Sequence, residues 1–275
     1  MAKTLISCPE IIGVHPVYTS PLGRHLTAND GVTQSGVAHR ALTEVAGLRD
    51  GFVKEVRGML VRHHVSSEAV QREKDRLDAM TRLGFGAQQA KMKRFPTADK
   101  TRKGNLAEVL LAEYLVSSTG SQLPVYRLRY NPNIEQSMKG DDVLAFDLDS
   151  NPVRILVGEA KYRAKSTKAV VTGIVEALVK SNRAGIPVSL QFVADRLFEQ
   201  GNAELGAKVL NCATLFALDN LRLDYVGLVM SDLKTSEQVA THTSAEIRRL
   251  AVISFGIDAP DGFITPCYNG LEDEL

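Results

Sequence analysis

Two apolar segments of this 275-residue chain carry, at one end, residues capable of metal and acid–base chemistry. The first, Gly140-Asp141-Asp142-Val143-Leu144-Ala145-Phe146, opens on two aspartates. The second, Arg154-Ile155-Leu156-Val157-Gly158-Glu159-Ala160-Lys161, closes on Glu-x-Lys. The turn formers Ser150-Asn151-Pro152 lie between them, so the pattern predicts two strands and a tight connection. Strand side chains alternate faces, which points Glu159 and Lys161 the same way and Ala160 away. If the strands pair, Asp142 at the mouth of the first reaches that same face. Two carboxylates that leave room for water suit Mg²⁺ or Mn²⁺, with the backbone carbonyl of Ala160 as a further oxygen ligand. A lysine beside them can orient or help deprotonate an attacking water, the chemistry of metal-assisted phosphodiester hydrolysis. An exposed Glu-x-Lys is often no more than a solvated ion pair worth little. The run Ile155-Leu156-Val157, however, is that of a strand covered on both faces. An acid and a lysine ending such a strand are unfavourable to bury without a partner.

The flanking sequence supplies the elements that would hold these residues. Leu106, Val109, Leu110 and Leu115 repeat at helical spacing, predicting a helix from Gly104 to about Ser118. A strand is expected over Val125–Tyr130. After the two motif strands, a second helix begins near Ser166-Thr167, suitable N-caps, and carries Val170, Val171, Ile174, Leu178 and Val179. Pro187 can open a third helix that Gly201 stops, and a fourth runs from about Asn202 to Leu218. Tyr225–Met230 and Arg248–Ile257 read as buried strands. The order predicts a three-layer α/β core with the site at one sheet edge.

Helix, Asp-bearing strand, Glu-x-Lys strand and second helix together resemble the PD-(D/E)xK nuclease superfamily. The run Arg102-Lys103-Gly104-Asn105-Leu106-Ala107-Glu108-Val109-Leu110-Leu111, joined to Gly-Asp-Asp and Gly-Glu-Ala-Lys, is similar to the HamA family. Those are nuclease subunits of bacterial Hachiman antiphage systems, which work with a helicase. The resemblance covers about residues 100 to 185. It implies a restriction-endonuclease-like core, a divalent metal, double-stranded DNA as substrate and a helicase partner. It also implies a role beside the metal for Glu108 on the first helix. The superfamily's Pro-Asp is replaced here by Gly140 and two aspartates, which leaves either Asp141 or Asp142 as the ligand. Strand parity favours Asp142, which shares a face with Leu144 and Phe146. A repair or RNA nuclease of the same superfamily, and a non-catalytic DNA-binding adaptor for a helicase, are the alternatives.

Residues 1–98 read differently, as a mainly helical region suited to docking a partner, with residues 99–275 forming the nuclease-like domain. Val37 to Arg62 is predicted as one long helix with an apolar stripe from Ala38 to Leu60. Ser66 or Ser67 can cap a second, charged helix that Gly84 would end. Lys91, Lys93, Arg94, Lys100, Arg102 and Lys103 cluster before the core, either to hold phosphates or as a solvated connector. Lys139, Arg127, Arg129, Arg163, Lys165 and Lys168 add positive charge around the motif, although formal net charge is only +1. A chain 44% hydrophobic can bury a large core. The odd number of cysteines, 3, with no Cys-x-x-Cys, suggests neither a zinc site nor a disulfide framework. His63-His64 reads as surface or packing residues. No charged-then-apolar leader occurs in Met1 to Gly13 and no run is long enough for a membrane span, so a cytoplasmic protein is expected. The acidic run Glu272-Asp273-Glu274 is expected to be disordered.

Overall fold

The apolar stretches centred on Leu156, Leu228 and Ile253 are covered on both faces because they form the middle of a six-stranded sheet. The computed structural model describes residues 5–85 and 93–275. The strands are β1 (Leu26–Val32), β2 (Ala38–Glu44), β3 (Val143–Asp147), β4 (Val153–Tyr162), β5 (Leu221–Ser231) and β6 (Leu250–Gly256). Their order across the sheet is β1-β2-β6-β5-β4-β3. The inner four are parallel, and β1 and β3 pair antiparallel at the two edges. The helices are α1 (Cys8–Ile12), α2 (Pro21–His25), α3 (Arg49–His64), α4 (Ser67–Arg82), α5 (Asp99–Thr119), α6 (Lys168–Ala184), α7 (Leu190–Glu199), α8 (Ala203–Ala217), α9 (Thr235–His242) and α10 (Pro260–Tyr268).

Strand alternation sorts the core into two layers. Leu156, Leu228 and Ile253 join Leu106 and Leu110 of α5 and Phe52 and Val56 of α3 on one face. Ile155, Val157, Val229 and Val252 join Val171, Ile174 and Leu178 of α6 on the other. Each fully buried aliphatic side chain contributes about 2 kcal/mol, so the sheet is fixed mainly by these two apolar layers. The result is the expected three-layer α/β fold. The far end of the sheet is tied by charge: Asp224 of β5, fully buried, accepts from Arg154, Arg222 and Arg249. Arg154 also donates to the Ile11 carbonyl, and Arg222 to that of Glu10, which fastens α1 there. Cys8, Cys212 and Cys267 are core residues.

Three local readings of the sequence are corrected. The single helix expected over Val37–Arg62 is strand β2 followed by α3, because β2 pairs with β6 along its length. Its apolar stripe packs into the protein's own core, with Ala38, Leu42, Phe52, Val56 and Leu60 buried. Sheet and core therefore draw on residues both before and after position 98. The strand expected over Val125–Tyr130 is a 3₁₀ turn, Arg127–Tyr130. Just before it, an isolated antiparallel bridge joins Gln122 to Phe146 of β3. The acidic end, expected to be disordered, folds back on the protein. Glu272 accepts from the backbone N–H groups of Arg94 and Phe95 at 2.7 and 2.9 Å, and Glu274 pairs with Arg57. Among the described residues, no helix is long and apolar enough to cross a membrane.

His63 and His64 are packing residues: His63 Nε2 contacts Glu113 at 2.7 Å, and His64 Nε2 contacts Asn105 at 3.1 Å. Burial holds His64 neutral, its pKa lowered to about 4. His39, bonded to Ser254 at 2.8 Å between β2 and β6, is lowered to about 4 for the same reason. In the unfolded chain both protonate near 6.5. The stability they confer is therefore present above that pH and lost as pH falls from about 6.5 toward 4. Urea midpoints measured at pH 7 and pH 5 are expected to fall in step with this, and His39→Gln is expected to flatten the dependence.

Candidate active site

The site is built where β4 runs out of apolar residues. Leu156 and Val157 are fully buried, whereas Glu159, Ala160 and Lys161 are half-buried at the carboxyl end of the strand. Between them, Gly158 lets α5 approach closely: a Cβ there would lie 2.9 Å from Leu111 Cδ2 and 2.9 Å from Val143 Cβ. Glu108 sits one helical turn before Leu111, so this close approach brings its carboxyl group to the strand end. Gly158 pairs with Val143 across the hairpin, and Asp142 immediately precedes that pair.

Four of the residues singled out from sequence meet here. Asp142 Oδ2 accepts from the Ala160 backbone N–H at 2.9 Å, and Lys161 Nζ donates to Glu159 Oε1 at 2.8 Å. The Arg127 guanidinium lies 3.6 Å from Glu108 Oε1 and 3.5 Å from Asp142 Oδ1. Burial, followed by the charges of Asp142 and Glu159, pushes Glu108 up to about 8 against the pull of Arg127. Burial and the neighbouring Glu159 push Asp142 up to about 6, opposed by the Ala160 N–H and by Arg127 and Lys161. Carboxyl groups held together in a desolvated corner disfavour one another's ionised forms.

Asp141 is engaged elsewhere. Its carboxylate accepts from Ser181 Oγ at 2.9 Å and from the Ser189 N–H at 3.1 Å, and its own N–H donates to Ser189 Oγ at 2.9 Å. Parity had favoured Asp142, but the reason differs: Asp142 precedes β3, and a turn rather than the pleat aims it.

Among the described residues, no group of three or more His, Cys, Asp or Glu is arranged to hold a metal ion. The donor set fits an ion that keeps part of its water: two carboxylates, Asp142 and Glu159, and the carbonyl of Ala160. That is the coordination Mg²⁺ prefers. The raised affinities of Glu108 and Asp142 for protons mark a corner short of positive charge.

The cationic residues divide. Lys100, Lys103, Lys161 and Arg163 line one groove of ≈ 380 Å³ beside the strand end. Lys103 is held by Asp99 and Asp261 at 2.6 and 2.7 Å, while Lys100 and Arg163 are exposed. Arg102 donates to the Pro96 carbonyl at 2.7 Å and lies over the Tyr268 ring. Lys93 and Lys139 are exposed outside that groove, Arg94 is half-buried, and Lys91 lies outside the described residues. On the other side of β4, a cavity of ≈ 300 Å³ is lined by Gly140, Glu159, Lys180, Ser181 and Val188. Sequence reasoning counted Arg127 only as background charge and passed over Ser181 and Ser189. No spacing rule joins these three to the turn they contact.

A mixed six-stranded sheet between helical layers, with an acid–lysine cluster at the carboxyl end of an inner strand, defines an α/β protein with a candidate catalytic site. A sequence model of the HamA family matches residues 27–271. Hachiman protein HamA of Bacillus cereus is 33% identical over 268 residues, 97% of this chain and 96% of that relative. The chain belongs to the HamA family.

The two aspartates should separate in a stability measurement on metal-free protein at pH 8. Asp141→Asn turns one of two buried accepting oxygens into a donor, breaking the bond from Ser181 or from the Ser189 N–H, and is expected to destabilise by about 1–3 kcal/mol. Asp142→Asn removes a charge repelled by Glu159 and keeps an oxygen for the Ala160 N–H, so it is expected to be neutral or stabilising. Denaturant unfolding of both variants reads this directly.

Proposed function

We propose that this HamA-family chain is a metal-dependent DNA endonuclease, of PD-(D/E)xK type, acting as the effector of an antiphage complex with a helicase. The observation that carries the reading is the convergence of Asp142, Glu159, Lys161 and Glu108 on one strand end. The order α5, β3, β4, α6, β5 supports it, since the resembled core also runs helix, strands, helix, strand.

Asp142, Glu159 and the Ala160 carbonyl would hold Mg²⁺ or Mn²⁺. When bound, such an ion supplies Lewis-acid polarisation of the phosphate and a water of lowered pKa. The chain's own residues do the rest. Lys161, which pairs with Glu159 in the metal-free protein, would hold the attacking water and stabilise negative charge growing on the phosphoryl oxygens. Glu108, whose carboxyl group is biased toward its protonated form by burial, would stand in an outer position beside the metal ligands. Lys100, Lys103 and Arg163 in the adjoining groove, together with Lys93, Arg94, Arg102 and Lys139, would supply the phosphate contacts that DNA affinity needs.

The partner reading rests on the relative's being a Hachiman protein and on the resemblance to subunits that work with a helicase. Its docking surface would lie in the first 98 residues. There α4 has no buried residue, although Val70 packs against the protein's own core.

Plasmid nicking in Mg²⁺ that stops with chelator is the expected result, and binding without cutting would favour the adaptor reading. Glu159→Ala and Lys161→Ala are each expected to lower the rate by on the order of 100-fold or more while leaving the fold intact. Cleavage at the wild-type rate by either variant would remove it from the mechanism.

Expression from the native operon tests the partner. The chain is expected to co-purify with a helicase-type neighbour and to cut intact plasmid more slowly when so bound. A chain that elutes alone, and cuts equally with or without that neighbour, would sink the complex.

A further inference from the structure

Asp142 lies before the first residue of β3, so strand pairing does not orient it. Its carboxylate accepts from the Ala160 N–H, and its backbone is set by the turn from Lys139 to Asp142, in which Gly140 has φ +112°, a region open to glycine and strained for other residues. This turn is gripped from two sides. On the α7 side, Ser189 binds both ends of Asp141, its Oγ accepting from the Asp141 N–H and its N–H donating to the carboxylate. Space there is tight: a Cβ on Gly140 would come within 2.5 Å of Ser189 Oγ. On the α5 side stands Arg127, whose side chain is only 12% exposed. Its Nη1 donates to the Asp141 carbonyl and its Nη2 to the Lys139 carbonyl at 3.3 Å. Its distances to Glu108 and Asp142, 3.6 and 3.5 Å, are those of ion pairs rather than of hydrogen bonds. The fork thus grips the backbone of the turn, and its charge faces the two carboxyl groups.

We infer that Arg127 is a positioning residue: its guanidinium holds the Lys139–Asp142 turn so that the Asp142 carboxylate meets Glu159, while Ser189 holds the same turn from the opposite side. The inference rests on the metal-site reading of Asp142 and Glu159 and adds the group that sets their geometry. A lysine at position 127 keeps the charge but cannot reach two carbonyls with a rigid fork. Charge and grip are therefore separable.

The test uses full-length protein and Mn²⁺. Binding is read by electron paramagnetic resonance of free Mn²⁺ without DNA, and plasmid cleavage is titrated with Mn²⁺ in parallel. Arg127→Lys and Arg127→Met are each expected to weaken Mn²⁺ binding, and to raise the half-saturating Mn²⁺ for cleavage, by about tenfold. DNA affinity measured in Ca²⁺ is expected to stay unchanged. Ser189→Ala, a milder change, is expected to shift Mn²⁺ binding the same way by less, and it decides the matter if the Arg127 variants fail to fold. Wild-type Mn²⁺ affinity in Arg127→Lys would show that charge alone matters and overturn the inference. Unchanged Mn²⁺ binding with weakened DNA binding would make Arg127 a phosphate contact and overturn it as well. A wild-type protein that binds Mn²⁺ but never cuts would remove the nuclease reading and leave positioning to be judged on binding. A wild type that neither binds nor cuts overturns both.

Discussion

Carboxyl groups repel one another most where water cannot screen them, and that repulsion is the constraint around which this end of the molecule is organised. Glu108, Asp142 and Glu159 come from a helix, a turn and a strand, and each would be easier to bury alone. They stay together because packing leaves them no other place. Gly158 draws α5 onto β4, and the hairpin brings the turn before β3 against the same strand end. Two cations, Arg127 and Lys161, lower the electrostatic strain without removing it. A corner so built gains more from an incoming divalent ion than a well-neutralised one does, because the ion replaces repulsion with attraction. The opposite end of the sheet shows the contrast. There Asp224 is surrounded by three arginines, and its charge is spent on holding structure.

The parts of the fold that could be read from sequence were those whose periodicity comes from packing. Helices α5 to α8 and strands β4 to β6 each bury one clear face or a continuous run, and they fall where the spacing put them. Strand β2 was misread because His39 and Arg40 interrupt its apolar character. Both are buried, yet each has a partner invisible in linear sequence: Ser254 on β6 for the one, Asp30 and Tyr114 for the other. Ala38, Ala41, Leu42 and Val45 then fit a helical spacing as well as a strand. The segment Val125–Tyr130 alternates like a strand. It is turned into 3₁₀ geometry where Arg127 reaches the Asp141 carbonyl and Arg129 the Arg62 carbonyl.

The candidate site was legible for a related reason. Glu159 and Lys161 are two residues apart on one strand, so geometry joins them whatever the rest of the chain does. A hairpin of two adjacent strands brings Asp142 to the same strand end, although the turn before β3 aims it. Arg127, Ser181 and Ser189 belong to three other segments, and only the folded backbone brings them to the turn. The family match supplies what neither reading could. It extends from residue 27, near the start of β1, to residue 271, past α10, and so takes in the N-terminal strands along with the acid–lysine end.

The parallel pairing of β2 with β6 joins segments about two hundred residues apart. During synthesis on the ribosome, β2 emerges about two hundred residues before β6, the neighbour it pairs with. Until then the β1–β2 hairpin has a bare edge of unsatisfied N–H and C=O groups, flanked by apolar side chains meant for the core. Such an edge is a template for stray strand pairing. The segments carrying Glu108, Asp142, Glu159 and Lys161 are translated well before β6 arrives to close the sheet. The nascent chain therefore passes through an interval in which the residues of the site exist but the sheet that supports them is incomplete, and the arrival of β6 ends that interval.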